Sequence, residues 1–179
     1  MYTPLKITTD FTLLNSLIKI DDLINFCLLK KIKCCGICDS NLFGSIEFYK
    51  KAKQNNIKPI IGLEIEINNY KIYLYAKNYD GYKNLLKLNT VKNEKEITID
   101  LLKNYKNNIL VILPVKSIDL VNDLDYFIDL YLGYENKEEL KNVLIKTNNV
   151  VYINDIKVLN KEDIKYLKYL DKINNIDNN

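Results

Sequence analysis

The sequence predicts an α/β fold built on a mainly parallel sheet or barrel, and three observations carry that expectation. Apolar segments of strand character alternate along the chain with segments of helical spacing, the order expected of repeated strand–helix units. The 179 residues, 47% hydrophobic and 27% charged, have the balance of a globular chain able to bury a full core. Residues 58–67 read most clearly as a strand. Pro59 opens it, Ile60 and Ile61 form an apolar run, and Gly62 marks a close approach. Leu63, Ile65 and Ile67 then alternate with Glu64 and Glu66.

The other elements follow in order. Residues 2–8 form a short strand candidate. Asp21 and Asp22 stand where a helix start favours carboxylates, and Leu23, Ile24, Cys27 and Leu28 follow at helical spacing, giving a helix to about residue 31. Residues 33–38 read as a strand closed by the polar turn Asp39, Ser40 and Asn41. Residues 43–55 form a second helix with Ile46, Phe48, Tyr49 and Ala52 on its apolar side. After the 58–67 strand, Asn68 and Asn69 turn the chain into a hairpin partner at 71–76. A helix follows over 79–89, then a weaker stretch at 93–108 with one short helix. Strands are expected at 109–113, 126–132 and 150–153, and helices at 137–146 and 161–173. The tail, 174–179, is expected to fray. No internal repeat and no Pro- or Gly-rich linker interrupts the chain, so one domain over residues 1–173 is the simplest organisation.

Composition excludes several functions. The chain has no histidine, so it cannot be a histidine-dependent metal enzyme, and no Ser/His/Asp or Cys/His nucleophile set is possible. All 26 basic residues are lysine, which weakens any case for bidentate phosphate or base recognition, and the net charge of +3 is too small to argue for nucleic acid. Abundant Lys, Asn, Ile and Tyr reflect AT-rich codons. No segment approaches the roughly 18 uninterrupted apolar residues of a membrane span. The first six residues lack the basic start and apolar run of a signal peptide. The four cysteines, Cys27, Cys34, Cys35 and Cys38, crowd one apolar region, which fits a reducing cytoplasm better than a disulfide framework.

Four segments together carry a resemblance. Leu42-Phe43-Gly44-Ser45-Ile46-Glu47-Phe48-Tyr49 leads to Lys58-Pro59-Ile60-Ile61-Gly62-Leu63-Glu64. Farther on come Asp80-Gly81-Tyr82-Lys83-Asn84-Leu85 and Asn154-Asp155-Ile156-Lys157. In this order and spacing they resemble the PHP (polymerase and histidinol phosphatase) domain, in the version found at the N-terminus of the bacterial DNA polymerase III alpha subunit. The resemblance implies a distorted seven-stranded β/α barrel. In active members that barrel holds divalent metals at the C-terminal ends of its strands.

Against that family pattern the metal ligands are missing. Active members carry His-Leu-His-Val-His-Ser, whose alternation lines imidazoles along one face of a strand. Here the stretch reads Pro4-Leu5-Lys6-Ile7-Thr8-Thr9. The motif Thr-Asp-His-Gly-Asn reads Cys38-Asp39-Ser40-Asn41, one residue shorter. Asn-Asp-x-His ends in Lys157, and the histidine of the last helix aligns near Leu167. Asp39, Glu64 and Asp155 survive as vestigial positions, with Lys6 and Lys157 replacing ligands. No metal and no cofactor is expected, Mg, Mn or Zn binding only if those carboxylates still serve. A Lys–carboxylate network filling the old cavity is preferred, because unpaired buried carboxylates are costly.

Other candidates have plainer readings. Cys35-Gly36-Ile37-Cys38 is a Cys-x-x-Cys that lacks a zinc ligand set and sits on a strand, so core packing is preferred over metal or redox chemistry. Tyr70, Tyr73, Tyr75, Tyr79 and Tyr82, with Lys71, Lys77 and Lys83, offer a nucleic-acid stacking surface, but a half-buried hairpin and helix whose tyrosines keep their hydroxyls wet is the preferred reading. The runs Lys30-Lys31 and Lys50-Lys51-Lys53 read as solvated helix faces, and Asp10, Asp21 and Asp22 as caps or turns. The resulting expectation is a catalytically inert PHP domain of a replicative polymerase alpha subunit. It would stabilise the polymerase module or dock a proofreading exonuclease or other replisome proteins, with weak or indirect DNA contact and no membrane. The parent family is a DNA-directed DNA polymerase, but this chain carries no polymerase palm and is expected to be inactive alone. The alternative is a metal-dependent phosphoesterase or 3′–5′ exonuclease using a rebuilt carboxylate site.

Overall fold

The computed structural model of the protein describes residues 3–177, with side chains through residue 174. Its elements run α1 (Ile20–Leu29), β1 (Cys34–Asp39), α2 (Ser45–Gln54), β2 (Lys58–Ile67), β3 (Tyr70–Ala76), α3 (Tyr79–Glu94), α4 (Ile99–Lys103) and β4 (Ile109–Pro114). They continue with β5 (Leu130–Tyr134), α5 (Lys137–Leu144), β6 (Val150–Tyr152) and α6 (Ile164–Asp177). The α/β class holds, and the sheet order β1-β2-β3-β4-β5-β6 follows the sequence. Six strands are present among the described residues, where seven were expected. The chain divides into two compact units, one comprising residues through Ile60 with those from Asp155 onward, the other Ile61–Asn154.

In the first unit, α1 buries Ile20, Leu23, Ile24 and Cys27. Leu28, expected on the same face, is 47% exposed, because it falls one residue past the buried stripe. Lys31 then turns the chain with a φ of 55°, and Ile32 N–H closes on Cys27 O at 2.8 Å. In β1, Cys35, Ile37, Cys38 and Asp39 are all buried, so Asp39 ends the strand instead of opening the turn after it. The α2 helix starts at Gly44, where a side-chain Cβ would stand 2.6 Å from the Phe11 ring. It buries Ser45, Phe48 and Ala52, whereas Ile46 and Tyr49 are about half exposed or more, contrary to the expected apolar side. Lys51 joins the two helices by pairing with Asp21 of α1 at 2.5 Å and Glu47 at 2.7 Å. This is the role of Asp21, which makes no side-chain cap: the α1 N-cap is Lys19.

The strand expected at 2–8 is reduced to a bridge at Ile7, paired in parallel with Ile156; Tyr2 lies outside the described residues. The physical reason is a mismatch of spacing. Pro4 O accepts from Gly36 N–H and Ile7 O from Cys38 N–H, so three steps on this segment face two on β1. The extra residue breaks the ladder as a bulge does. On its other side the segment exchanges bonds with Ile156, Thr8 N–H to Ile156 O at 3.0 Å and Ile156 N–H to Lys6 O at 2.9 Å.

In the second unit β2 and β3 form the expected hairpin, Ile67 opposite Tyr70 and Gly62 opposite Tyr75. Asn68 (φ 52°) and Asn69 (φ 66°) both take the left-handed conformation that a two-residue hairpin turn demands. Leu63, Ile65 and Ile67 are buried and Glu66 is exposed, as their alternation predicts. β3 pairs β4 antiparallel, while β4–β5 and β5–β6 are parallel, so the sheet is mixed. The long α3 connection therefore returns the chain antiparallel. It starts with Asn78 accepting from Gly81 N–H and runs to Glu94, five residues beyond the expected end. The short helix expected within 93–108 is α4, capped by Thr98. A 3₁₀ helix at Val115–Val121 was not foreseen, and the strand expected at 126–132 lies instead at Leu130–Tyr134.

The closing helix of the first unit, α6, extends through Asp177, past the expected end at residue 173. Residues 178–179 lie outside the described ones.

Candidate functional site

The expected pocket positions Lys6, Asp39, Asp155 and Lys157 all belong to the first unit. The bulged segment 4–9 places Lys6 and Thr8, the end of β1 places Asp39, and the backbone bridge at Ile156 fixes Asp155 and Lys157 on either side of it. Ser16 reinforces that bridge. Its hydroxyl lies 2.5 Å from Thr8 O and 3.0 Å from Lys157 O.

Lys6 is 1% exposed. Its ammonium donates to Thr8 Oγ1 at 2.8 Å and to Cys38 O at 2.7 Å, and stands 3.6 Å from Asp155 Oδ1. The Thr8 hydroxyl in turn donates a hydrogen bond to the same Asp155 oxygen at 2.7 Å. Lys157 Nζ lies 3.8 Å from Asp155 Oδ2. Asp155 thus faces two ammonium groups and a hydroxyl, and its side chain keeps about a quarter of its surface in solvent.

Asp39 is satisfied differently. Its Oδ1 accepts the Thr9 N–H at 2.6 Å and the Thr12 hydroxyl at 2.8 Å, and its Oδ2 accepts the Thr9 hydroxyl at 2.7 Å. Burial lifts its carboxyl above the ordinary carboxylate range. The Thr9 and Thr12 hydrogen bonds and the Lys6 charge pull it back only partly. A lysine network was expected around both aspartates. Around Asp39 it is mostly threonine. Thr9, Thr12 and Ser16 were not singled out in the sequence, and the only available signal was the density of Ser and Thr in the first 16 residues.

Glu64 belongs to the second unit. There its carboxylate pairs with Lys71 at 2.7 Å, across the β2–β3 hairpin. Leu167, where the family's last histidine aligns, is half-buried in α6, and Pro4 is buried. No group of three or more His, Cys, Asp or Glu that can hold a metal ion occurs among the described residues.

The tyrosine cluster is divided by burial. Tyr73 and Tyr75 are 7% and 3% exposed, so they pack in the core, while Tyr79 is largely exposed. Lys71, Lys77 and Lys83 pair with Glu64, Asp129 and Asp80. The four cysteines are free thiols. Cys27, Cys35 and Cys38 are buried and Cys34 is half-buried.

A model of the PHP domain matches residues 4–159. The chain is 32% identical over 168 residues to the DNA polymerase III subunit alpha of Staphylococcus aureus strain Mu50, covering 85% of this chain and 15% of that protein. It is 44% identical over 101 residues to the same subunit of Ureaplasma parvum, covering 55% of this chain and 10% of that protein. The chain therefore spans about a tenth to a seventh of the length of these curated relatives. Among solved structures it resembles an amidohydrolase from Chromobacterium violaceum with bound sulfate and no metal (TM-score 0.63, 6% identity, 95% of this chain and 97% of that one). It also resembles a two-domain protein from Bacteroides vulgatus containing a predicted PHP-like metal-dependent phosphoesterase (TM-score 0.62, 10% identity, 93% and 55%). At those identities the likeness speaks for the fold alone. With the family model spanning residues 4–159 and the polymerase subunits aligned along the same chain, this protein belongs to the PHP domain family.

Proposed function

We propose that this chain is a non-catalytic PHP domain of a bacterial replicative DNA polymerase III alpha subunit, with a structural or partner-docking role in DNA replication in the cytoplasm. The observation that carries the reading is the buried Lys6 ammonium. It occupies a position where the family resemblance places a metal-binding histidine, and it bonds to Thr8, Cys38 O and Asp155. A fixed cation with its protons directed at the neighbouring acceptors does not fit a divalent metal in the same place. Asp39 is likewise engaged by three donors. These residues serve as a stabilising plug in the vestigial pocket.

On this reading residues 1–173 act as one PHP-like domain. The segment 4–8, bonded to β1 on one side and Ile156 on the other, supplies the seventh stave of the barrel that the family resemblance implies. Its partners are a polymerase module, in the same or a separate chain, and a proofreading exonuclease or other replisome protein.

Two measurements test the proposal. Metal analysis of the purified protein is expected to find no stoichiometric Zn, Mn or Fe, and a stoichiometric metal would overturn the inert reading. Incubation with labelled single-stranded DNA and Mn²⁺ is expected to release no nucleotides. Release that disappears in Glu64→Gln would establish the phosphoesterase or exonuclease alternative instead.

A further inference from the structure

The Cys-x-x-Cys of β1 cannot close on itself. Cys35 and Cys38 are three residues apart on one strand, so their side chains leave opposite faces and their Cα atoms are about 10 Å apart. That exceeds the about 7 Å limit for a disulfide. Cys35 is instead directed toward α1, where its Sγ lies 3.6 Å from Cys27 Sγ. Both residues are fully buried. The contact between the two sulfurs lowers the Cys27 thiol from its ordinary value. The same contact raises the Cys35 thiol, and burial raises it further. Cys34, the half-buried neighbour, is pushed up by burial, which keeps it in the unreactive thiol form.

We infer that Cys27 and Cys35 form a reversible redox site, in which a peroxide-class oxidant converts the two facing thiols into an intramolecular disulfide tying α1 to β1. The Cys27 thiolate attacks one oxygen of hydrogen peroxide. The O–O bond breaks, hydroxide leaves and takes up a proton, and Cys27 becomes a sulfenic acid. The Cys35 sulfur, giving up its proton, then attacks the sulfenic sulfur and expels its hydroxyl as water. Two thiols are oxidised to one disulfide and one peroxide is reduced to two waters. A dithiol reductant reverses the change. Closure shortens the sulfur separation from 3.6 Å to the about 2.0 Å of a disulfide. The short connection between the two elements, with Lys31 at a φ of 55°, is where the backbone can yield. Complete burial excludes bulky disulfide reagents, whereas a water-sized peroxide can enter during local opening.

The sequence makes the test direct. Lys30, Lys31 and Lys33 lie between the two cysteines, so cleavage after lysine separates Cys27 from Cys35 into different peptides. The chain is treated with hydrogen peroxide under native conditions, its remaining thiols are alkylated, and the digest is analysed by mass spectrometry. The expected product is a peptide pair, residues 20–30 joined to 34–50, that separates on dithiothreitol treatment. The same link is expected in Cys34→Ser and Cys38→Ser and is expected to be lost in Cys35→Ala. Linkage through Cys34 or Cys38 overturns the inference. So does oxidation of Cys34 to a sulfinic acid while Cys27 and Cys35 of the unsubstituted chain are still alkylated as free thiols.

Discussion

Asp39 and Lys6 are buried groups whose charge has to be compensated locally. The carboxyl of Asp39 is raised by burial, so the folded chain holds that proton more tightly than the unfolded chain does. The sign follows from linkage. Asp39 favours the folded state most below its unfolded value of about 4 and loses that contribution as pH rises through the higher folded value. Asp39→Asn has no such titration. The urea midpoint of the parent is therefore expected to fall relative to that of the variant as pH is raised from about 4. A difference between the two that is constant with pH would mean the carboxyl is not shifted. Lys6 donates to Thr8 and Cys38 O and stands 3.6 Å from Asp155, so its removal leaves two acceptors with one donor fewer and Asp155 with one cation fewer. Lys6→Met is expected to lower stability by about 2 kcal/mol, below the full cost of breaking a buried pair because Asp155 keeps solvent contact. Adding Asp155→Asn should recover part of the loss, which denaturant melts of the two variants will measure. In the sequence Lys6 was visible as a departure from a family pattern, and Asp39 and Asp155 as positions surviving from it. Thr9 and Thr12 were not visible as Asp39 partners, because nothing local links them to a carboxylate 30 and 27 residues away.

Elements were legible where side-chain periodicity alone decided them. β2 was readable because Leu63, Ile65 and Ile67 alternate against acidic neighbours, and the Asn68-Asn69 turn fixed its partner. The segment at 4–8 was not, because the extra residue against β1 is a property of two segments in register. The antiparallel return of β4 was equally hidden, since a long helical connection does not state which way the next strand runs. Two substitutions probe these elements. Asn69→Gly keeps the left-handed φ of 66° at lower steric cost and is expected to raise stability by about 0.5 kcal/mol. Gly81→Ala places a Cβ 2.1 Å from Asn108 O at the start of α3, and the backbone there must move. It is expected to cost about 2 kcal/mol, within the range of overpacking changes. Thermal or urea melts check both.

At the scale of the whole molecule, family membership was legible from ordered motifs, although solved structures of similar fold share as little as 6% identity with the chain. Hydrophobic spacing and a few fixed turns hold the fold, while site residues vary independently. If the pocket is plugged by its own side chains, chelation has nothing to remove. Excess EDTA, and separately added Mn²⁺, are each expected to leave the melting temperature unchanged, whereas a ligand bound only by the folded state would shift it by mass action. The pairing of Lys71, Lys77 and Lys83 with carboxylates has a further consequence for any encounter with DNA. Affinity for a polyanion comes largely from condensed counterions released to solvent, one for each phosphate neutralised. Ammonium groups already neutralised by their own neighbours release few, so binding through this face would depend only weakly on salt concentration, and a steep dependence would locate the contact at another surface.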